Sequence, residues 1–311
     1  MNSLIDTFGD GIGFLTFSHE ALESFLQMPE YLIKKIDKSG FTVAININRN
    51  SINFASKIEL NDTINNIENE YETEFNLIAP ELNNAIDIAI INEPNKLVKI
   101  DEKSGKYSWL EKIANELLKD VDLQASKDLI TVQSGPLIYI RKEGGWIIES
   151  FNKTNLSNIE THLTQRGFIK TELQLKDRIY KVWHKLLLEN ISDQYQISSK
   201  LGIISLEHGD KTLWSNNIAI LEDLYRNENI NTFKNVHLTT NEFLNTNLRQ
   251  KVLLGSKSAQ KLLINWKPWQ LMKIVSGGIV QGEIDDLFLG IGTEEQKDTS
   301  RLNFDVKLSL K

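Results

Sequence analysis

The sequence predicts an α+β protein, mainly antiparallel sheet, with helices packed on one face of that sheet. Two observations carry this prediction: apolar and polar residues alternate in two hairpin-like segments, and a segment of helical periodicity precedes each of them. The order strand, helix, glycine, hairpin recurs about four times, as βαββ-like units near 12–60, 86–142, 145–188 and 260–292. We therefore expect one continuous α+β body over residues 1–311, without a clear internal boundary.

The first hairpin is predicted from an alternation that runs through two neighbouring segments. Apolar residues occupy every second position in Phe41–Ile47, and the alternation resumes in Ile52–Leu60. Such a period of two is typical of strands with one buried face. Upstream, apolar residues in Leu22–Ile36 recur at helical spacing. The segment therefore predicts a helix that ends before Gly40 and a hairpin that follows it.

The second hairpin repeats this arrangement after Gly167. Leu173–Leu175 precedes a predicted turn at Lys176–Asp177, and Ile179–Trp183 supplies the returning strand. Before Gly167, the run Ser157–Glu160 has the form of a capping box, and a glycine suits the left-handed position just after a helix. We expect the two hairpins to have the same construction.

The C-terminal unit is predicted from a weaker version of the same pattern. Leu262–Ile264 is interpreted as its first strand, and Pro268 suits the first turn of the helix that follows. Asp285–Asp286 is interpreted as a hairpin turn between strands at Ile284 and Leu287, because Asp is a favoured turn residue. Additional helices are predicted near Ile64–Ile78, Ile218–Tyr225 and Phe243–Leu253.

Composition and charge exclude several classes of protein. The chain has 41% hydrophobic and 25% charged residues, which is near the globular average and allows a full core. Its 35 Lys and Arg against 42 Asp and Glu give a net charge of −7, and no basic run exceeds a pair. A nucleic-acid backbone requires a concentrated positive surface. Nucleic acid is therefore not an expected partner.

Membrane insertion is not predicted from the residues present. No stretch approaches the roughly 18 apolar residues of a spanning helix, and Met1–Asp6 lacks the basic and apolar regions of a signal peptide. Membrane association is expected only through a segment missing from this chain.

No spacing of residues in the sequence matches a complete catalytic or metal-binding motif. The chain has no cysteine, and His19–Glu23 starts like a zincin helix but carries Glu23 where the second zinc-binding histidine belongs. The remaining histidines are dispersed, so no metal and no cofactor are expected. His208 is predicted in a turn with Gly209. A hydrolase that combines carboxylates with His184 or His208 remains the alternative function.

Two tryptophans give the one candidate binding surface. Trp266, Lys267 and Trp269 stand at the start of a predicted helix, where two indoles and a cation would suit an amphiphile or an acidic peptide. In the alternative interpretation, Trp269 packs into the core and Trp266 covers a sheet edge. No catalytic, cofactor-binding or metal-binding residue is assigned.

Three segments carry a family resemblance. Asn92–Leu97, Arg178–Trp183 and Lys211–Leu221 resemble the cyanobacterial domain-of-unknown-function 3352 family. Members carry an N-terminal membrane or export segment, so the resemblance implies a C-terminal portion of such a protein, in the periplasm or at the thylakoid. It implies no functional residue. We expect a non-catalytic binding or assembly module of the envelope or thylakoid region, whose partner is an unidentified protein or an amphiphilic ligand.

Overall fold

A computed structural model describes thirteen segments of the chain. These are residues 12–17, 41–47, 50–60, 85–91, 137–150, 156–191, 194–209, 211–226, 250–264, 269–270, 273–274, 283–296 and 299–310. Among these residues, no helix is long and apolar enough to cross a membrane.

The described strands form a single antiparallel sheet. In chain order they are β1 (Ile12–Phe17), β2 (Phe41–Ile47), β3 (Ser51–Leu60), β4 (Asp87–Ile91), β5 (Leu137–Lys142), β6 (Gly145–Ser150), β7 (Ile169–Leu175), β8 (Arg178–Ile191), β9 (Gln194–His208), β10 (Lys211–Ser215), β11 (Gln250–Gly255), β12 (Ile284–Gln296) and β13 (Thr299–Leu310). The strand order is β1-β2-β3-β13-β12-β11-β4-β5-β6-β10-β9-β8-β7, and neighbouring strands are antiparallel. The C-terminal strands thus lie inside the sheet, and β1 and β7 form its edges.

Three described helices pack against the two faces of the sheet. They are α1 (Leu156–Gln165), α2 (Ile218–Arg226) and α3 (Ser256–Ile264). The first face carries the larger apolar cluster, which α1 joins through Leu163 and α3 joins through Leu263. The second face carries a cluster around Tyr180, and α2 joins it through Leu221. Helices therefore cover both faces.

The α+β prediction with helices on one face is wrong. The described part of the chain is nearly all β: its strands reach 15 residues in β9, whereas its three described helices have nine or ten residues each. The period-two pattern predicted strands that are too few and too short. Polar stretches such as Thr293–Gln296 also form strands, because pairing with a neighbour satisfies their backbone hydrogen bonds. Those stretches carry no alternation that single-sequence reasoning could detect.

Local predictions had mixed outcomes. The hairpin of β2 with β3 and that of β7 with β8 are confirmed, as is a helix near Ile218–Tyr225. In the second hairpin, Lys176 adopts the positive φ of 56° that the tight turn requires.

Three other local predictions are wrong. Leu262–Ile264 belongs to α3 rather than to a strand, because Ala259 and Leu263 recur at helical spacing against the core. Asp285–Asp286 lies within β12 at a β-bulge, not in a turn. The end of the predicted helix Phe243–Leu253 is part of β11, which is paired on both sides. The predicted helices at Ile64–Ile78 and before Gly40, and Pro268, lie outside the described residues.

A buried carboxylate lies at the centre of the sheet. Asp87 at the start of β4 accepts hydrogen bonds from the backbone N–H of Gly255 at 2.9 Å and from the Ser258 hydroxyl at 2.8 Å. The guanidinium of Arg141 is 3.8 Å away. Burial raises the pKa of Asp87 although these three groups favour its ionised form. Asp87 therefore ties β4 to the first turn of α3.

Candidate functional site

Strands β8 and β9 extend beyond their neighbours as a two-stranded hairpin. Pairing between β7 and β8 ends at Ile169 and His184, and pairing between β10 and β9 ends at Ser215 and Ile204. Beyond these points, among the described strands, β8 and β9 pair only with each other, out to Ile191 and Gln194. We call residues 184–191 and 194–201 the arm.

The base of the arm is fixed by a bulge at Gly202. Trp183 pairs with Ile203 and His184 with Leu201, so Gly202 is the extra residue. A side chain at this position would overlap the Phe168 ring, and the Lys185 ammonium lies 4.3 Å from the centre of the same ring. Bulges bend a strand and increase its twist. Phe168 and Gly202 thus set the direction in which the arm leaves the sheet.

One face of the arm is apolar and exposed. Cross-strand partners point to the same side, and the pairs on this side are His184 with Leu201, Leu186 with Ser199, Leu188 with Ile197, and Asn190 with Tyr195. The exposed fractions of its apolar residues are 43% for Leu201, 54% for Leu186, 68% for Leu188 and 73% for both Tyr195 and Ile197. We call this side of the arm the apolar face.

The opposite side of the arm is polar. Its cross-strand pairs include Lys185 with Lys200, Leu187 with Ser198, and Glu189 with Gln196. Five charged or carboxamide side chains of the arm stand on this side, namely Lys185, Glu189, Gln194, Gln196 and Lys200, and the polar residues of the apolar face are His184, Asn190 and Ser199. The arm is therefore an amphipathic ribbon whose apolar face carries no acidic residue, lysine or arginine.

The apolar face continues the core of the second sheet face. Along β8, alternation places Tyr180, Val182, Leu186 and Leu188 on one side. Tyr180 is fully buried in the cluster under α2 and Val182 is partly buried against it, whereas the two leucines are mostly exposed. On β8 the apolar surface thus extends outward from the core, with His184 as the one polar residue between Val182 and Leu186.

A network of charged side chains holds the body of the sheet next to the arm. Glu160 of α1 accepts hydrogen bonds from Lys170 at 2.9 Å and Lys181 at 3.3 Å, and Lys181 also donates to Glu207 at 2.5 Å. Burial opposes ionisation of Glu160, but the two ammonium groups outweigh it and lower its pKa. The network connects α1 to β7, β8 and β9.

A second contact joins α2 to the same strands. The Tyr180 hydroxyl donates to Glu222, and Arg178 lies 3.5 Å from the same carboxylate. Burial and the hydrogen bond to Glu222 raise the pKa of Tyr180, and that hydrogen bond lowers the pKa of Glu222. Helices on both faces therefore fix β8 in place up to the start of the arm.

The predicted tryptophan surface is only partly within the described residues. Trp269 is 4% exposed and belongs to the larger apolar cluster, with the Lys273 ammonium 5.2 Å from its ring centre. Its position matches the core interpretation of this residue. Trp266 and Lys267 lie outside the described residues.

The two histidines of the hydrolase alternative lie far apart on the sheet. His208 ends β9 at the turn before β10, where Gly209 has a positive φ of 60°, as the turn prediction required. His184 stands at the base of the arm, and its Nδ1 is 2.9 Å from the Ser199 hydroxyl. This serine–histidine pair is exposed on a two-stranded ribbon. Nucleophilic catalysis also needs donors aimed at a developing oxyanion in a site that excludes water.

Sequence reasoning missed the arm. The predicted returning strand of this hairpin ends at Trp183, although Tyr195 and Ile197 alternate with Gln194 and Gln196 further along. That alternation was the available signal. The run Leu186–Leu188 obscured it, because three consecutive leucines are more typical of buried segments than of an exposed strand.

Comparisons with known proteins yield no family. No protein-family model and no curated protein sequence matches the chain. Among solved structures, the chain is similar to TP0453 in its crystal form III, with a TM-score of 0.32 and 7% identity over 75% of this chain and 93% of that one. It is also similar to the cleaved viral serpin CrmA, with a TM-score of 0.10 and 10% identity over 72% and 81% of the two chains. Scores this low carry no argument about fold or function.

Proposed function

We propose that the protein is a non-catalytic binding or assembly module, and that the arm is its contact surface. The observation that carries this proposal is the exposed apolar face of the arm. Its five large apolar residues expose on the order of 600 Å², since their exposed fractions lie between 43% and 73% and a large residue offers about 200 Å² when fully exposed. Patches of this size are at the upper end of those on monomeric proteins and commonly mark interaction sites.

The construction of the arm also supports a role in binding. An isolated two-stranded hairpin has marginal stability in water, so a projecting apolar hairpin gains stability when a partner covers it. Phe168 and the ionic network around Glu160 hold the base of the arm before any partner arrives. A surface with a fixed base loses less conformational entropy on binding than an unstructured segment does.

The resemblance to the cyanobacterial domain-of-unknown-function 3352 family supports an envelope or thylakoid location for this module. Its contact would be a protein or an amphiphilic ligand. The hydrolase alternative has less support, because the described hydrogen bond of the His184 ring is to a serine on an exposed surface rather than to a carboxylate in a cleft.

A fluorophore on the arm tests the proposal. The chain has no cysteine, so Asn190→Cys permits labelling at one site on the apolar face, and Gln174→Cys gives a matched exposed site on the edge strand β7. We expect envelope extract of the source cells to shift the emission of the label at position 190 to the blue and raise its anisotropy, with little change at position 174. Equal responses at both positions, or none at position 190 to extract, vesicles or added unlabelled protein, would refute the arm as the contact surface.

A further inference from the structure

We infer that the occupant of the apolar face is the arm of a second copy of this chain, packed face to face and antiparallel about a two-fold axis. This inference rests on the proposed function and specifies its partner. A two-fold interface uses one surface twice, so that surface must be complementary to itself. The apolar face meets this condition because it carries no acidic residue, lysine or arginine that would oppose its own copy.

The positions of the polar groups on the apolar face favour the antiparallel arrangement. His184 and Ser199 lie near the base of the arm, and Asn190 lies near its tip. An axis at the level of Leu187 places the tip of each arm over the base of the other. Asn190 then faces the partner's polar base, and Leu188 and Ile197 lie over the row of Leu186 and Ser199. A parallel arrangement about a two-fold axis would instead place each polar group over the copy of its apolar cross-strand partner, such as Asn190 over Tyr195.

The buried area is consistent with a specific dimer of modest affinity. Two faces of about 600 Å² bury about 1,200 Å² in total, which is the lower end of the range for specific interfaces. The ribbon is roughly 20 Å long and two strands wide, and sheets stack about 10 Å apart. A second ribbon of the same dimensions therefore covers the whole face.

A lipid bilayer fits the arm less well than a second copy does. Beyond Ile169 and Ser215, no strand of the described part of the chain lies on the outer sides of β8 and β9. The outward backbone N–H and C=O groups at such open edges need water or another strand, and the hydrocarbon region supplies neither. Face-to-face stacking leaves both edges of each arm in water.

Sedimentation equilibrium of the full chain tests the inference. We expect the mass to rise with protein concentration from 35.6 kDa towards twice that value. The double variant Leu188→Glu with Ile197→Lys should remain at the monomer mass, with its dissociation constant raised at least tenfold. Because these residues are direct cross-strand partners, the new opposite charges preserve the pairing of the arm.

A matched control shows whether dimerisation requires the residues of the apolar face or is weakened by a charge at any exposed apolar position. Ile179 lies on β8 outside the arm, and its exposed fraction of 56% is close to the 54% of Leu186. Ile179→Glu should dimerise like the wild type and Leu186→Glu should not. Equal effects of the two changes, or a monomeric wild type at all concentrations, would overturn the inference.

Spin labels on Asn190→Cys report the orientation independently of these charge changes. The antiparallel arrangement predicts a separation of ~20 Å between the two labels, and parallel arms would bring them within ~10 Å. A short separation, or the absence of any intermolecular separation, would overturn the antiparallel dimer.

Two further outcomes separate this inference from the proposed function. If the wild type is monomeric but the fluorophore at position 190 responds to envelope extract, the self-association is wrong and the binding role remains. If it responds instead to vesicles of anionic and zwitterionic phospholipids, and the double variant abolishes that response, a lipid surface replaces the second copy. If it responds to neither extract, vesicles nor added protein, both proposals fail.

Discussion

Two strand pairs project beyond their neighbours in the sheet, the β12–β13 hairpin and the arm, and they are stabilised in different ways. The β12–β13 hairpin continues to the Gln296–Thr299 pair, and β3 accompanies β13 as far as Ser300. That extension has a third strand, and the sequence Thr293–Gln296 is polar. The arm has two strands and an exposed apolar face. The first extension is therefore supported by a third strand, whereas the described support of the arm lies at its base, and in our proposal the arm gains stability from contact with a partner.

The largest expected effect comes from removing the anchor at the base of the arm. Phe168 is buried against Gly202 and under Lys185. Phe168→Ala should lower the free energy of unfolding by about 3–5 kcal/mol, because a buried aromatic ring is lost and a cavity remains. Denaturant melts measure this loss, and hydrogen exchange should show faster exchange in the arm with little change in β12–β13.

A change at Gly202 provides the complementary test of the same junction. Gly202→Ala would force its Cβ into the Phe168 ring and should destabilise by about 1–3 kcal/mol through overpacking. If neither variant alters exchange in the arm more than in β12–β13, the anchoring role of Phe168 is wrong.

The next largest loss of stability is expected at the centre of the sheet, which lies between the two extensions in the strand order. Asp87→Ala removes the acceptor of the Gly255 N–H and of the Ser258 hydroxyl, and should cost about 2 kcal/mol. It should leave dimerisation per folded molecule unchanged, because Asp87 is remote from the arm in the strand order. Thermal melts and sedimentation measure the two quantities.

The pH dependence of Asp87 has a definite sign. Burial raises its pKa in the folded state above the unfolded value, so the folded state binds the proton more tightly. The stability that this group contributes is present below the unfolded pKa and is lost as the pH rises through the folded pKa. Asp87→Asn keeps an acceptor for the Gly255 N–H and should abolish the loss of stability at rising pH. If the variant has the same pH profile of stability as the wild type, Asp87 is not the group responsible.

A smaller effect is expected at Lys251 in the neighbouring strand β11. Burial lowers its pKa to about 8. Between this value and the ordinary 10.5 the unfolded state binds more protons, so the wild type should gain stability as the pH rises through that interval. Lys251→Met should stabilise by about 1–2 kcal/mol at neutral pH and remove the gain. Urea melts at pH 7 and pH 10 measure both, and a destabilised Met variant would show that the charge is favourably paired.

The smallest effect on folding is expected on the arm itself. The double variant Leu188→Glu with Ile197→Lys should change the free energy of unfolding of the monomer by no more than about 0.5 kcal/mol, as at other exposed sites. Fluorescence of a hydrophobic dye should fall to less than half of the wild-type signal. A large loss of stability at concentrations where the wild type is monomeric would show that these residues support the fold, and would remove the contrast with β12–β13.

Part of the fold was predictable because some segments carry local signals. The alternation in Phe41–Ile47, the turn at Lys176–Asp177 and the helical spacing in Ile218–Tyr225 each determine a local structure, and all three appear as predicted. The turn between His208 and Lys211 is likewise predicted by its own residues and present in the structure. In these segments the local preference and the tertiary environment agree.

The arm was not predictable in the same way. Leu186 and Leu188 have the composition of core residues, and only the lengths of the neighbouring strands expose them. Whether β7 continues beside β8 depends on where β7 begins, and the packing of α1 and Phe168, which directly precede β7, fixes that point. Exposure of an apolar strand is thus a property of its neighbours and not of its own sequence.

The sequence by itself determined a composition that allows a full globular core, the positions of several turns and hairpins, and the absence of cysteine chemistry. Tertiary structure alone decided that the described chain is nearly all β, that its C-terminal strands lie inside the sheet, and that α3 replaces a predicted strand. The physical reason is that periodicity and turn chemistry act over a few residues. Strand pairing over long separations satisfies backbone hydrogen bonds whatever the local side chains prefer.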